Sequence, residues 1–233
     1  MRIDLHNFFL HFDEKNPKHL AAVEQLEIDL VGKSPDLMED TAEWVKIFRT
    51  KVEVVIPGIL NVPYYPQTDN YRDADRTCNS SSCAMCLEYF KPGTLVGAKG
   101  DDAYVQKVFA IGDTTDHTVQ TRVLKDYGIT SEFKYNLGFA DLDRELSAGR
   151  PVVIGILHRG PLSAPTGGHM CVVIGKKGED YVVNDPYGSL NDGYTGPVAN
   201  GKSAVYKKSD LQYRWLEKGK DKTGWGRIFL AKK

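Results

Sequence analysis

Apolar residues recur at helical spacing through the first two thirds of the chain and collapse into short β-branched runs in the last third. Leu20, Val23, Leu26 and Leu30 lie three or four apart within residues 16–30 and Gly32 follows, which predicts an amphipathic helix; residues 35–48, with Trp44, Val45 and Phe48 on one side, predict a second. Residues 51–62, KVEVVIPGILNV, mix β-branched side chains with Pro57 and Gly58 and predict a strand, a turn and a strand. The prolines of NVPYYPQ then keep residues 61–67 extended. In CNSSSCAMCLEYF, running from Cys78 to Phe90, three serines fill a first turn. Cys83, Ala84, Met85, Cys86, Leu87 and Phe90 make an apolar body, and Pro92 and Gly93 close what reads as a buried helix. Residues 101–111, 118–127 and 139–147 predict three more helices, the last two stopped by Gly128 and Gly149.

The second half predicts strands over residues 151–158, 169–175 and 181–184, the last two joined by a charged turn at 176–180. Residues 188–204, rich in Gly and Asn, read as a long surface loop, and residues 225–230 as a closing strand. Helices first and an antiparallel sheet afterwards is the α+β arrangement. Residues 1–55 separate as a small helical unit of unknown role, either a cap packed on the main domain or a unit that binds a polymer or a partner, and residues 56–233 form that domain. No repeat is evident.

The chain's 233 residues suffice for one full core with a small companion. With 30 basic against 31 acidic side chains, nothing in the charge points to nucleic acid or an anionic membrane as partner. No apolar run is long enough to cross a bilayer, and the start, MRIDLHNFFLHFDEK, shows no basic leader with an apolar core. The expected location is therefore the cytoplasm of a producing or host cell, with release to a cell wall by lysis. Four cysteines, three of them between Cys78 and Cys86, do not form the spaced framework of a disulfide-stapled domain.

Cys78 stands at the entrance of its helix, where unpaired backbone N–H groups and the helix dipole favour a thiolate. A thiolate nucleophile needs a base and a group to orient that base. His169, opening a strand after Gly167 and Gly168, supplies an imidazole, and Gly168 leaves room above it for substrate. Asp185, ending the next strand of a hairpin, brings a carboxylate beside it. Gln67 is placed to lend its amide to an oxyanion, together with the backbone N–H of Cys78. His158 is the rival base but has no adjacent Asp-Pro partner. His6, His11, His19 and His117 are scattered and suit surface or cap positions. Cys83 and Cys86 share a helix face, whereas Cys78 lies about 140° from Cys83, which disfavours a common zinc site, and with Cys171 they read as core. Asp69, Asp73 and Asp75 lack the Gly and Glu of a calcium loop and read as a solvated wall. Neither metal nor cofactor is expected. Tyr187, Tyr194 and Trp215 either offer an aromatic platform to a peptide or glycan or pack as core.

The segments VPYYPQ, CNSSSCAMCLEYF, GGHMCVVIG and VVNDPYG resemble the C39-like branch of the papain-like cysteine peptidases. GYTGPVANGKSAVY, LQYRWLEKG and TGWGRIFLA further resemble the C39-like catalytic domains of bacteriophage lysins and related cell-wall hydrolases, so that residues 58–233 are covered. The resemblance implies a papain-like α+β fold. It also implies a peptidase or amidase in which Cys78, His169 and Asp185 act together, with Gln67 in the oxyanion role and a peptide or peptidoglycan as substrate. The family often has Gly after its nucleophile. Here Asn79 either crowds the cleft or caps the helix, and with Gly168 and Tyr187 it is expected to meet the substrate. Endopeptidase, amidase, leader-cutting peptidase, acyltransferase and a silent binding module on the same fold all remain open, as does the oligomeric state.

Overall fold

The computed structural model describes residues 58–230. The helices predicted over residues 16–30 and 35–48, the cap they would form, and most of the strand and turn predicted over 51–62 lie outside the described residues. Within them the order is α1 (Cys78–Phe90), α2 (Asp101–Ile111), α3 (His117–Asp126), β1 (Ser131–Leu137), α4 (Phe139–Ser147), β2 (Val152–Arg159), β3 (Thr166–Lys177), β4 (Asp180–Asn184), β5 (Ala204–Tyr206), α5 (Lys208–Arg214) and β6 (Gly224–Phe229). The six strands form one antiparallel sheet in the order β1-β6-β2-β3-β4-β5. This is the α+β arrangement read from the sequence.

Helix α1 is small or apolar on every side, and a helix of that kind has to be enclosed rather than laid on a surface. Ten of its thirteen residues are buried. Its serines, read from the sequence only as small, are also polar anchors. Ser82 donates to the Met170 carbonyl of β3 at 3.2 Å, Ser81 to Asp101 of α2 at 2.7 Å, and Ser80 shares a hydrogen bond with Thr114 at 2.6 Å. Alternation along β3 then divides the core between the two faces of the sheet. Met170, Val172 and Ile174 pack in the cluster that holds α1, while Cys171 and Val173 pack with Leu142 of α4 and with Leu211 and Trp215.

The closing strand is present but is not an edge: β6 lies between β1 and β2. Its Arg227 is consequently fully buried. That guanidinium donates to Thr121 and Ser131 at 2.8 Å and to the His117 carbonyl at 2.7 Å. Strand β1, the three-residue β5 and the short α5 are absent from the sequence expectations. Helix α3 starts one residue earlier than expected because Asp116 caps it, its carboxylate accepting from the Thr118 N–H at 2.7 Å.

Asp101 heads α2 with no exposed surface and one carboxylate oxygen without a partner. Burial, helped by Asp69 and Asp102 and opposed by the Ser81 hydrogen bond, raises its pKa from 3.8 to about 6. The folded chain thus keeps a proton that the unfolded chain releases, and stability falls as pH climbs through that interval. Asp101→Asn is expected to raise the melting temperature at pH 8, where the buried charge costs about 1–3 kcal/mol, and to leave it unchanged at pH 4. Thermal unfolding at the two pH values checks this, and an equal shift at both would contradict it.

Candidate active site

Cys78 is the first residue of α1, partly buried. Its sulfur lies by the side chain of His169 and the backbone N–H groups of Met170 and Asn79, all of which favour its thiolate form. Burial on its own would push the thiol up. The imidazole beside it and the two N–H groups outweigh that, and its pKa lies below the ordinary thiol value. The helix head and strand β3 therefore meet at one sulfur.

His169 pairs with Ile156 of β2 in the sheet and is 4 % exposed. Its Nε2 lies 2.7 Å from Asp185 Oδ1, which leaves Nδ1 to face Cys78. Burial would lower the imidazole pKa, but the Asp185 carboxylate and the thiolate together drive it up to about 10. Asp185 follows β4 and has no exposed surface. Its backbone is clamped on both sides: the N–H donates to the Gly201 carbonyl at 2.9 Å, and its carbonyl accepts from the Tyr64 hydroxyl at 2.9 Å. A thiol, an imidazole and a carboxylate joined in this order form an ion pair poised at neutral pH, an arrangement suited to nucleophilic attack followed by proton return.

Gln67 opens a short 3₁₀ turn, Gln67–Asp69, and is 1 % exposed. Its backbone N–H donates to the Pro186 carbonyl at 2.8 Å, which ties the incoming segment beside Asp185. The side-chain amide donates to Ala74 at 2.8 Å, and its Oε1 is buried without a partner. Gly168 is exposed on β3 opposite Leu157. Tyr187 is half-buried, its ring 6.0 Å from that of His169 and 5.3 Å from that of Tyr194. Trp215, by contrast, is 2 % exposed and belongs to the core.

Asn79 departs from expectation. It is 2 % exposed and neither crowds the cleft nor caps α1. Its amide donates to the Thr114 carbonyl at 3.4 Å and faces His117 Nδ1 at 3.3 Å, bracing α1 against the α2–α3 connection. What it gives the site is its backbone N–H. His117 is likewise no surface residue: its ring stacks on Phe133 at 3.5 Å, and burial with the nearby Arg227 lowers its pKa to about 4. Cys83, Cys86 and Cys171 are buried, and burial raises each of them, so none competes as a nucleophile.

Three further side chains stand close to the pair: His158, the rival base; Tyr194, the candidate for an aromatic platform or core; and Tyr206, which no sequence signal marks. The His158 ring stands 5.1 Å from that of His169, with Nδ1 2.9 Å from the Gly167 carbonyl and Nε2 accepting from Arg159 at 3.2 Å. The hydroxyls of Tyr194 and Tyr206 donate to Asp185 Oδ2 at 3.0 and 2.7 Å. No spacing rule marks a phenol in a glycine-rich loop or in a three-residue strand as a partner of a distant carboxylate.

Residues 59–223 match the Peptidase_C39 like family. Among solved structures, the chain is similar to a putative C39-like peptidase from Bacillus anthracis, with a TM-score of 0.50 and 15% identity over 75% of this chain and 98% of that one. It is also similar to a double glycine motif protease from an AMS/PCAT transporter, solved with its leader peptide, with a TM-score of 0.48 and 18% identity over 75% of this chain and 95% of that one. No curated protein matches the chain.

Proposed function

The chain belongs to the Peptidase_C39 like family and is a cysteine peptidase of papain-like α+β fold, and we propose that its chemistry runs through Cys78, His169 and Asp185. The observation that carries this reading is that the Cys78 sulfur interacts with the His169 ring, whose Nε2 is held at 2.7 Å by the fully buried Asp185 Oδ1. The thiolate attacks an amide carbonyl, and a C–S bond forms as the carbonyl oxygen takes the negative charge. The backbone N–H of Cys78 and the amide of Gln67 receive that oxyanion. His169 gives its proton to the departing amine, leaving a thioester; it then takes a proton from water, which attacks the thioester and releases the thiolate. Asp185 holds the ring in one tautomer throughout. Gly168 and Tyr187 border the groove in which the peptide lies.

The pH dependence follows from the two perturbed groups. Cys78, lowered, reaches its thiolate form below the ordinary thiol range, and His169, raised, keeps its proton until about pH 10. A plateau of kcat/KM through neutrality, with its alkaline limb near pH 10, is expected. A profile that falls away near pH 7 would contradict the ion pair.

The finer reading is an endopeptidase or amidase acting on the peptide stems of peptidoglycan, of the bacteriophage-lysin kind. Its support is the likeness of GYTGPVANGKSAVY, LQYRWLEKG and TGWGRIFLA to such domains. Mass spectrometry of products released from purified cell wall, set against products from a peptide library, tests it. Cleaved stems support the reading. Cleavage confined to free peptides assigns the site to a soluble peptide substrate, and binding without turnover on either substrate rejects catalysis.

A further inference from the structure

Two oxygens of a fully buried carboxylate collect four donors in this fold. Asp185 Oδ1 accepts from His169 Nε2 at 2.7 Å and from the Tyr187 backbone N–H at 3.0 Å, while Oδ2 accepts from the hydroxyls of Tyr206 at 2.7 Å and Tyr194 at 3.0 Å. The two phenols arrive from separate places. Tyr206 lies on β5, the outermost strand, is 1 % exposed, and its hydroxyl also accepts the Leu190 N–H at 2.9 Å. Tyr194 belongs to residues 188–204, the stretch expected to be a long surface loop. It sits half-buried at φ 61°, with its N–H held by the Ser189 carbonyl at 2.9 Å and by Asp192 at 3.0 Å. Its ring stands edge-on, 5.9 Å from the His169 ring and 5.4 Å from that of His158.

This geometry leaves the carboxylate no freedom to turn. Swinging Oδ1 away from His169 would break both phenol bonds on Oδ2, and a buried oxygen stripped of its donors is costly. The donors are also neutral. A lysine or arginine in their place would compete with His169 for the negative charge, whereas a phenol orients the carboxylate and leaves its pull on the ring intact. Burial and the carboxylate raise the pKa of both tyrosines, so they remain donors wherever the protein is folded.

We propose that Tyr194 and Tyr206 are positioning residues for the proton transfers: acting through Asp185 Oδ2, they fix the carboxylate against His169 and so set the pH at which Cys78 becomes a thiolate. The proposal rests on the reading of Cys78, His169 and Asp185 given above. It makes the 188–204 loop part of the reaction, because releasing Tyr194 from Asp185 would loosen the ring that Cys78 depends on. The titratable groups facing Asp185 are His169 and Cys171 of β3, His158 of β2, Tyr64 of the incoming segment, and the two phenols themselves.

The test compares the full chain with Tyr194→Phe, Tyr206→Phe and Asp185→Asn. Two readouts are used: the rate of Cys78 alkylation by iodoacetamide as a function of pH, and kcat and KM on a cleaved peptide. Each phenylalanine variant is expected to move the acid limb of alkylation up by about half to one pH unit and to lower kcat about 5–20-fold while KM stays within about twofold; Asp185→Asn moves the limb further. Tyr194 is half-buried and outside both core clusters, so its variant answers the question even if Tyr206→Phe is destabilised. A folded Tyr194→Phe whose limb superimposes on the parent, while that of Asp185→Asn has moved, overturns the positioning role and reduces the phenols to structural contacts. A parent chain with ordinary thiol reactivity, or an Asp185→Asn limb that does not move, overturns the underlying site assignment instead.

Discussion

Cys78→Ala is expected to give a folded protein whose peptide hydrolysis has dropped by about 10⁴-fold or more, the scale on which removing a nucleophile acts when the rest of a site survives. The fold has little stake in this sulfur. Cys78 is partly buried and lies outside the fully buried body of α1, so losing one atom at the helix head removes about 1 kcal/mol at most. The chemistry depends on it entirely, because no other thiol is placed to take over: Cys83, Cys86 and Cys171 are enclosed and raised by burial. Cys78→Ser should be nearly as inactive, since a hydroxyl in that position stays protonated where the thiol does not. Hydrolysis assays alongside circular dichroism check both variants, and a folded Cys78→Ala that keeps its activity would reject the assignment.

Asp185→Asn is expected to act on activity and stability at once. The carboxylate is the main force raising His169, so replacing it with an amide removes the counter-charge of a buried imidazolium and lets the ring lose its proton near or below neutrality. kcat should fall about 10²–10⁴-fold. The direction of the stability effect follows from the His169 shift. A base whose folded pKa is raised from 6.5 to about 10 contributes stability that is complete below pH 6.5 and is lost as pH rises through 10. The variant should therefore be most destabilised below pH 6.5, by about 3–5 kcal/mol for one partner of a buried pair, and should approach the parent above pH 10. Denaturant unfolding at several pH values measures this, and a deficit independent of pH would show that the pair is not charged in the folded state.

Much of the fold and of the candidate site is legible in the sequence because local signals mark them. Helix α1 was placed end to end, since its apolar body is closed by Pro92 and Gly93. Cys78 heads α1 and Asp185 directly follows β4, while His169 lies inside β3, which starts at Thr166 rather than at the expected residue 169; antiparallel pairing of β3 with β4 brings His169 and Asp185 to the same end of the sheet. What stayed hidden depends on partners distant in sequence. Strand β1, SEFKYNL, alternates apolar and polar residues from Phe133 to Leu137, but the alternation spans only five residues, its Tyr135 stays exposed, and the strand pairs with β6 alone through an irregular register. The sequence shows that β6 exists but cannot tell that it inserts between β1 and β2. From the sequence Asn79 either crowds the cleft or caps the helix; its rotation about α1 turns it toward Thr114 and His117 instead. The phenols of Tyr194 and Tyr206 meet Asp185 from 9 and 21 residues away, through the course of the 188–204 loop, which no local pattern specifies.

The central claim is that one sulfur of the four is an activated nucleophile, and a thiol-directed probe followed by peptide mapping tests it without knowledge of the substrate. Labelled briefly at pH 6, the folded chain is expected to carry the probe on Cys78 alone, faster than a free thiol reacts under the same conditions. Label spread over Cys83, Cys86 and Cys171, or Cys78 reacting no faster than the free thiol, would contradict the account.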